Sequence, residues 1–127
     1  MRQCRILNNV SSPLLTVVET SIFTRRAEKL LTEEEHEELV FYLAVHPLSG
    51  DEIPGTGGVR KLRFGSRDRG KSGGVRVIYY FFDEENPLYA LLLYGKNEQV
   101  DLTPQQKREM TTLAATIKAA ARARRKK

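Results

Sequence analysis

The residues of this chain whose types and spacing best suit chemistry are lysines and arginines on three predicted strands. Lys61 and Arg63 alternate along one strand and therefore point to the same face. Arg76 lies early in the next strand, and Lys96 directly follows the third. Short connections predict antiparallel pairing of these strands, which brings the basic side chains to one end of a sheet. Lys71 lies in the turn that joins the first two strands.

A cationic cluster of this kind can act on RNA in three ways. It binds phosphate, and arginine does so through two parallel hydrogen bonds. It stabilises the additional negative charge on the phosphorane that forms when a 2′-OH attacks the phosphate in line. Like-charge repulsion also lowers the pKa of a clustered lysine, so that one lysine could serve as a general base. A passive RNA-binding surface accounts for the same residues, and both interpretations remain open.

The basic region is wider than this cluster, because Arg60, Arg67 and Arg69 lie within or between the same two strands. We expect these three arginines to bind RNA. Aromatic residues nearby are candidates to stack a splayed base, although core packing is the competing interpretation. They are Phe64, Tyr80 and Tyr94.

Other catalytic chemistries have little support in the sequence. His36 and His46 lie on or at the end of an acidic helix, and we expect His36 on its solvated surface. The acids between positions 33 and 38 favour the helix dipole rather than a metal site. Cys4 and Ser72 have no obvious base beside them. No metal-ligand spacing is present, and no cofactor is expected.

Residues 65–72 match the phosphate-binding pattern G-x-x-x-x-G-K-[ST] in full. The mechanism of that loop requires a helix directly after it, whose amides hold the phosphates. Here Ser72 is followed by two glycines and then by a strand-forming run that begins at Val75. The sequence therefore predicts a basic hairpin loop rather than a nucleotide site.

Length and charge limit the class of protein. The chain has 127 residues, of which 40% are hydrophobic and 29% charged, with a net charge of +5. Residues 1–58 contain five Lys or Arg and nine Asp or Glu, whereas residues 59–127 contain sixteen and seven. A one-sided positive field indicates a polyanion as partner. No apolar run suits a membrane span or a secretory signal, so we expect a cytoplasmic protein.

Periodicity and capping signals predict an α+β fold: a small antiparallel sheet of three to four strands, with two N-terminal helices and one C-terminal helix. We expect a single domain over residues 1–127, in which residues 118–127 form a basic, frayed tail. The predicted strands are 14–19, 59–64, 75–82 and 88–94, and 48–58 is a predicted loop. The predicted helices are capped by Thr20 or Ser21, by Thr32 and by Thr103.

Three segments, GTGGVRKLRFGS, GKSGGVRVIYYFF and LLLYGKNEQVDLTPQQK, resemble the RelE superfamily and most specifically its HigB-like branch. These proteins are toxins of bacterial type II toxin–antitoxin pairs. The resemblance covers about residues 14–117 and is strongest over 55–107. It implies the RelE-like microbial RNase fold. It also implies a metal-independent endoribonuclease that cuts mRNA in the A site of the 70S ribosome and leaves a 2′,3′-cyclic phosphate.

The resemblance further implies a cognate antitoxin, usually of helix-turn-helix type, whose complex with the toxin binds operator DNA. By position, Lys61 and Arg63 match the paired basic residues of RelE-like toxins, and Arg76 matches the arginine that stabilises the phosphorane. Lys96 lies beside the place of another functional arginine, and Thr103 is near that of a catalytic tyrosine. Both departures favour the HigB-like branch.

Since the family's acid and base are not both matched, Lys71 and Lys96 are the candidates for these roles. The alternative function is a non-catalytic homologue that binds nucleic acid or the antitoxin.

Overall fold

The computed structural model describes residues 2–5, 15–65 and 74–125, and it describes side chains from residue 15 through residue 124 outside the gap. Within these ranges, six strands form one sheet and three helices pack on it. The elements are β1 (Arg2–Arg5), β2 (Thr16–Glu19), α1 (Ser21–Leu30), α2 (Glu33–Val45), β3 (Asp51–Glu52), β4 (Val59–Phe64), β5 (Val75–Tyr80), β6 (Leu88–Gly95) and α3 (Pro104–Arg125).

The α+β class is confirmed, but the sheet is larger than predicted and is mixed. In the described part of the chain the strand order is β1-β2-β6-β5-β4-β3. Strands β4, β5 and β6 form the predicted antiparallel meander, whereas β2 lies parallel to β6. The two strands of the parallel pair are about 70 residues apart in the chain. A connection of that length permits parallel or antiparallel pairing, so it did not predict which of the two occurs. The two-residue strand β3 adds an edge inside the predicted loop.

Two apolar clusters lie on opposite faces of the sheet. Helices α1 and α2 cover one face, where residues such as Phe23, Leu39 and Leu43 pack against Val77 and Leu93. On the other face, Met110 and Ala114 of α3 pack against Val59, Ile78 and Leu92. The face covered by α3 is the one that concerns function, because β4 presents Lys61 and Arg63 there, between Val59 and the strand end.

The predicted helix starts are confirmed. Thr20 caps α1 by accepting a hydrogen bond from the Phe23 amide, and Thr32 with Glu35 forms the capping box of α2. At the start of α3, Thr103 Oγ1 accepts from the Gln106 amide at 3.1 Å. These side chains satisfy backbone amides that the helix itself leaves without partners.

The last helix continues to Arg125, since alanine and arginine are strong helix formers and Arg124 donates a hydrogen bond to the Asn86 side chain at 2.8 Å; that its basic end frays stays a prediction. One prediction on the helices is wrong. His36 is not on a solvated surface: its ring is buried, and Nε2 lies 3.0 Å from a carboxylate oxygen of the fully buried Glu19. Glu19 also accepts a hydrogen bond from the Thr24 hydroxyl. A buried polar residue with buried partners cannot be recognised from helical spacing alone.

Candidate active site

The register of three strands places the predicted cationic residues in two neighbouring rows on the face that α3 covers. In the first row, Arg63 of β4 lies opposite Arg76 of β5, and Arg76 lies opposite Tyr94 of β6. In the second row, Lys61 lies opposite Ile78. Directly opposed residues have their Cβ atoms about 4.5–5.5 Å apart. The strand geometry therefore brings Lys61, Arg63, Arg76 and Tyr94 together.

The opposed arginines differ in exposure. Arg63 is exposed, whereas Arg76 is only 9% exposed. Like charges directly opposite each other on two strands destabilise the sheet. A bound anion would offset this repulsion, and the planar guanidinium of arginine is well suited to phosphate. The pair thus combines one nearly buried guanidinium with one that is open to solvent.

Lys61 forms an ion pair that the sequence analysis did not predict. Its Nζ lies 2.5 Å from Oδ1 of Asp101, in the segment between β6 and α3. The hydrogen bond from Lys61, followed by its charge, holds the pKa of Asp101 below the ordinary value, and Arg76 adds to the effect. Asp101 is 40 residues from Lys61 in the chain. The only sign of this ion pair in the local sequence was an acidic residue just before the cap of the last helix.

Tyr94 lies within this group of charges. The residue is 2% exposed, and among the described residues its buried hydroxyl has no hydrogen-bond partner. Burial raises the pKa of Tyr94, the charge of Asp101 raises it further, and the charges of Lys61 and Arg76 oppose the rise. The phenol therefore stays protonated near neutral pH and is a hydrogen-bond donor. Because the ring is enclosed, the predicted stacking on a base does not fit this structure.

Lys96 lies at the same end of the sheet as Arg63 and Arg76. It is exposed in the turn after β6, and its backbone amide donates to the Gly74 carbonyl at 3.4 Å, just before β5. The other two stacking candidates are separated from the site in different ways. Phe64 packs against the core beneath α1 and α2, and Tyr80 is buried in the core beneath α3.

Arg60 lies on the opposite face from Lys61 and Arg63, as strand alternation requires. Its guanidinium donates to the Gly50 carbonyl at 2.6 Å and to the Leu48 carbonyl at 3.3 Å. Arg60 thus binds backbone carbonyls of the preceding loop and lies apart from Lys61, Arg63 and Arg76. Arg67, Arg69 and Lys71 lie outside the described residues.

The phosphate-binding pattern at 65–72 also lies almost wholly outside the described residues. Directly after the gap, the chain continues from Gly74 into β5, which pairs antiparallel with β4. Strand β5 stands where a phosphate-binding loop requires a helix. The prediction that a strand follows this segment is confirmed.

Two kinds of feature are absent from the described ranges. His, Cys, Asp and Glu side chains form no group of three or more there that could hold a metal ion. None of the helices described is long and apolar enough to cross a membrane.

The arrangement places positive charge at two depths on one face of the sheet. Arg63 and Lys61 contact solvent, Arg76 and the Tyr94 hydroxyl lie deeper, and Asp101 partly balances the positive charge at the rim. Electrostatic stabilisation of a transition state requires donors that are already in place when charge develops on the phosphate. Strand register holds the backbone of these donors in position, so they need little rearrangement.

A family model described as the RelE toxin of the RelE/RelB toxin–antitoxin system matches residues 17–126 of this chain. The match runs from β2 to the end of α3 and includes every residue of the cationic group. Toxins of this family are generally endoribonucleases, and membership implies a cognate antitoxin as partner. The chain therefore belongs to the RelE family of toxins from toxin–antitoxin systems.

Proposed function

We propose that this protein is a ribosome-dependent mRNA endoribonuclease of the HigB-like branch, which inhibits translation by cutting mRNA in the ribosomal A site. The observation that carries the proposal is the row Arg63–Arg76–Tyr94 beside the Lys61–Asp101 pair. It combines an exposed cation, a buried cation and a buried hydroxyl donor on one face of the sheet.

The cleavage step transfers the phosphoryl group within the RNA. The 2′-oxygen attacks phosphorus while a base removes its proton; the bond to the 5′-oxygen breaks, and an acid protonates that oxygen. Arg76 and Arg63 stabilise the extra negative charge on the phosphorane. Lys96 and Lys71 are the proposed acid and base, and support for Lys96 comes from its place at the same end of the sheet. The step needs no metal ion.

The dependence on the ribosome follows from the weakness of this machinery. In the described part of the chain, His36 is in the core and His46 ends α2, so neither histidine is near the cationic group. Without an imidazole poised near neutral pH, the intrinsic catalyst is slow. Holding the 2′-oxygen in line with the scissile bond is worth several kcal/mol, about 7–11 at best. The ribosome supplies this alignment of the mRNA.

The partners follow from the same proposal. The toxin acts in the cytoplasm, where a cognate antitoxin with a helix-turn-helix domain binds and neutralises it. Operator DNA is contacted only through the complex with the antitoxin. The chain itself needs no cofactor for this activity.

Cleavage mapping in a cell-free bacterial translation reaction tests the proposal. Wild type, Arg76→Ala and Arg63→Ala are compared on one mRNA, with and without ribosomes. Removing one donor that stabilises the transition state lowers the rate by about 10²–10³-fold. The control is Arg25→Ala, which removes an exposed arginine of α1 on the far side of the sheet. Thermal unfolding verifies that each variant is folded.

Cuts at A-site codons that need ribosomes and disappear in both site variants are the expected result. If folded wild-type protein cuts nothing, the enzyme hypothesis fails and a non-catalytic homologue that binds nucleic acid or the antitoxin replaces it. If free RNA is cut equally well, the protein is a nuclease but its activity does not depend on the ribosome. Full activity of both site variants would remove these arginines from the mechanism.

A further inference from the structure

A groove runs between α3 and the glycine-rich loop that precedes β4. The loop is held in one shape by Thr56, whose hydroxyl donates to the Ile53 carbonyl at 2.6 Å and accepts from the Val59 amide at 3.1 Å. Thr56 is 1% exposed. Beside it, Gly57 has a φ of 78°, and a Cβ there would meet nothing within 4 Å. The loop thus presents a fixed, open backbone surface to the groove.

One face of α3 supplies basic side chains along this groove. Lys107, Thr111, Lys118 and Arg122 recur at intervals of four, seven and four residues, which places them on the same side of a helix. Lys107 lies at the Gly55 end, where its Nζ would be 3.7 Å from a Cβ on that glycine. With a rise of about 1.5 Å per residue, the distance from Lys107 to Arg122 is roughly 22 Å along the helix.

A cavity of about 210 Å³ lies in the groove. Its lining includes the small residues Gly57, Ala115 and Ala119 and the basic residues Lys118 and Arg122. Lys118 Nζ lies 3.4 Å from the Gly57 carbonyl. No acidic or aromatic residue lines this cavity within the described ranges. The groove thus offers positive charge to an anion but no flat ring on which a base could stack.

The length and composition of the groove favour a polymer over a single anion. The N-terminal end of α3 is joined to the candidate active site through the chain, because Asp101, which pairs with Lys61, precedes the cap of α3 by two residues, and Lys107 lies one turn inside the helix. The one acid of α3, Glu109, is engaged by Gln105 at 3.3 Å and does not line the cavity. A phosphate chain leaving the active site could therefore follow α3.

We infer that this groove binds the sugar–phosphate backbone of single-stranded RNA next to the scissile position, without reading its bases. The identification of the polymer as RNA rests on the proposed function. Backbone contacts of this kind contribute affinity and position the strand but give no sequence preference. The groove is separate from the residues that act on the scissile phosphate, so binding and cleavage can be disturbed independently.

Fluorescence anisotropy with a short 2′-O-methyl oligonucleotide, which lacks the attacking hydroxyl, measures this binding. The full chain is compared with the double variant Lys118→Gln/Arg122→Gln over a range of salt concentrations. The matched control, Arg25→Gln/Lys29→Gln, removes the same charge from exposed positions of α1. Each lost phosphate contact reduces the slope of log K against log salt by about 0.7, so the groove variant loses about 1.4.

The expected result is a smaller slope and about tenfold weaker binding at low salt for the groove variant, with the control equal to wild type. If the two double variants lose RNA affinity equally, or if neither loses any, the proposal that the groove binds RNA is refuted. Since this oligonucleotide cannot be cut, the result is independent of cleavage. Wild type that cuts no mRNA but shows the groove effect would refute the nuclease and leave the groove standing.

Discussion

Replacing Tyr94 by phenylalanine is expected to stabilise the fold. The Tyr94 hydroxyl is buried and, among the described residues, has no hydrogen-bond partner. Folding therefore removes it from water without compensation. Tyr79, on the adjacent strand, is the matched control. Its hydroxyl donates to the Pro47 carbonyl at 2.9 Å and accepts from the Gly50 amide at 2.8 Å.

The two substitutions remove the same atom but change the free energy of unfolding in opposite directions. A buried polar group without a partner costs about 1–3 kcal/mol, so Tyr94→Phe should raise the free energy of unfolding by about 1 kcal/mol. For a chain of this length that is a rise in Tm of roughly 3–5 °C. Tyr79→Phe leaves the buried Gly50 amide without its acceptor and should lower the free energy of unfolding by about 1–3 kcal/mol.

Urea unfolding of wild type and both variants measures this difference, and the translation assay measures cleavage. Because the Tyr94 hydroxyl is buried and out of reach of a bound RNA, Tyr94→Phe is expected to be more stable and to cut mRNA at the wild-type rate. A Tyr94→Phe variant that is destabilised by more than 1 kcal/mol would show that the hydroxyl has a partner in the folded protein and would refute the reasoning. A more stable variant with full activity would limit Tyr94 to packing.

Two further predictions concern the acidic side chains of Glu19 and Asp101. Glu19→Ala removes a buried carboxylate that bonds Thr24 and His36, and it should lower the free energy of unfolding by about 3–5 kcal/mol, whereas the exposed control Glu28→Ala should change it by less than about 0.5. Denaturant unfolding at neutral pH decides between these values. Because the pKa of Asp101 is lowered in the folded state, its pair with Lys61 stabilises the protein above the ordinary pKa of aspartate and stops doing so as the pH falls through the lowered value. Lys61→Met should return the Asp101 pKa towards its ordinary value in an NMR titration; an unchanged pKa would contradict the pairing.

Local signals in the sequence predicted most of the elements. The side chains that cap α1, α2 and α3 act within three residues of themselves, so the pattern contains all the participants. Alternation in β4 likewise predicted that Lys61 and Arg63 share a face. The same rule would have placed Arg60 on the other face, away from the cationic group. These predictions depend on contacts between chain neighbours and needed no knowledge of the fold.

Predictions failed where distant segments meet. The parallel pairing of β2 with β6 and the burial of His36 against Glu19 both join residues that are far apart in the chain. The Lys61–Asp101 pair is of the same kind, since an exposed acid before a helix cap gives no sign of the lysine it meets.

Residue types and short spacings were enough to predict the three helices, four of the strands, the one-sided positive charge and the motifs typical of the toxin family. The tertiary structure alone decided that Arg63, Arg76 and Tyr94 form one row, that Asp101 joins Lys61, and that α3 faces the glycine-rich loop across a basic groove. Strand register and helix docking are set by the burial of apolar faces over the whole chain, and no local pattern contains that information.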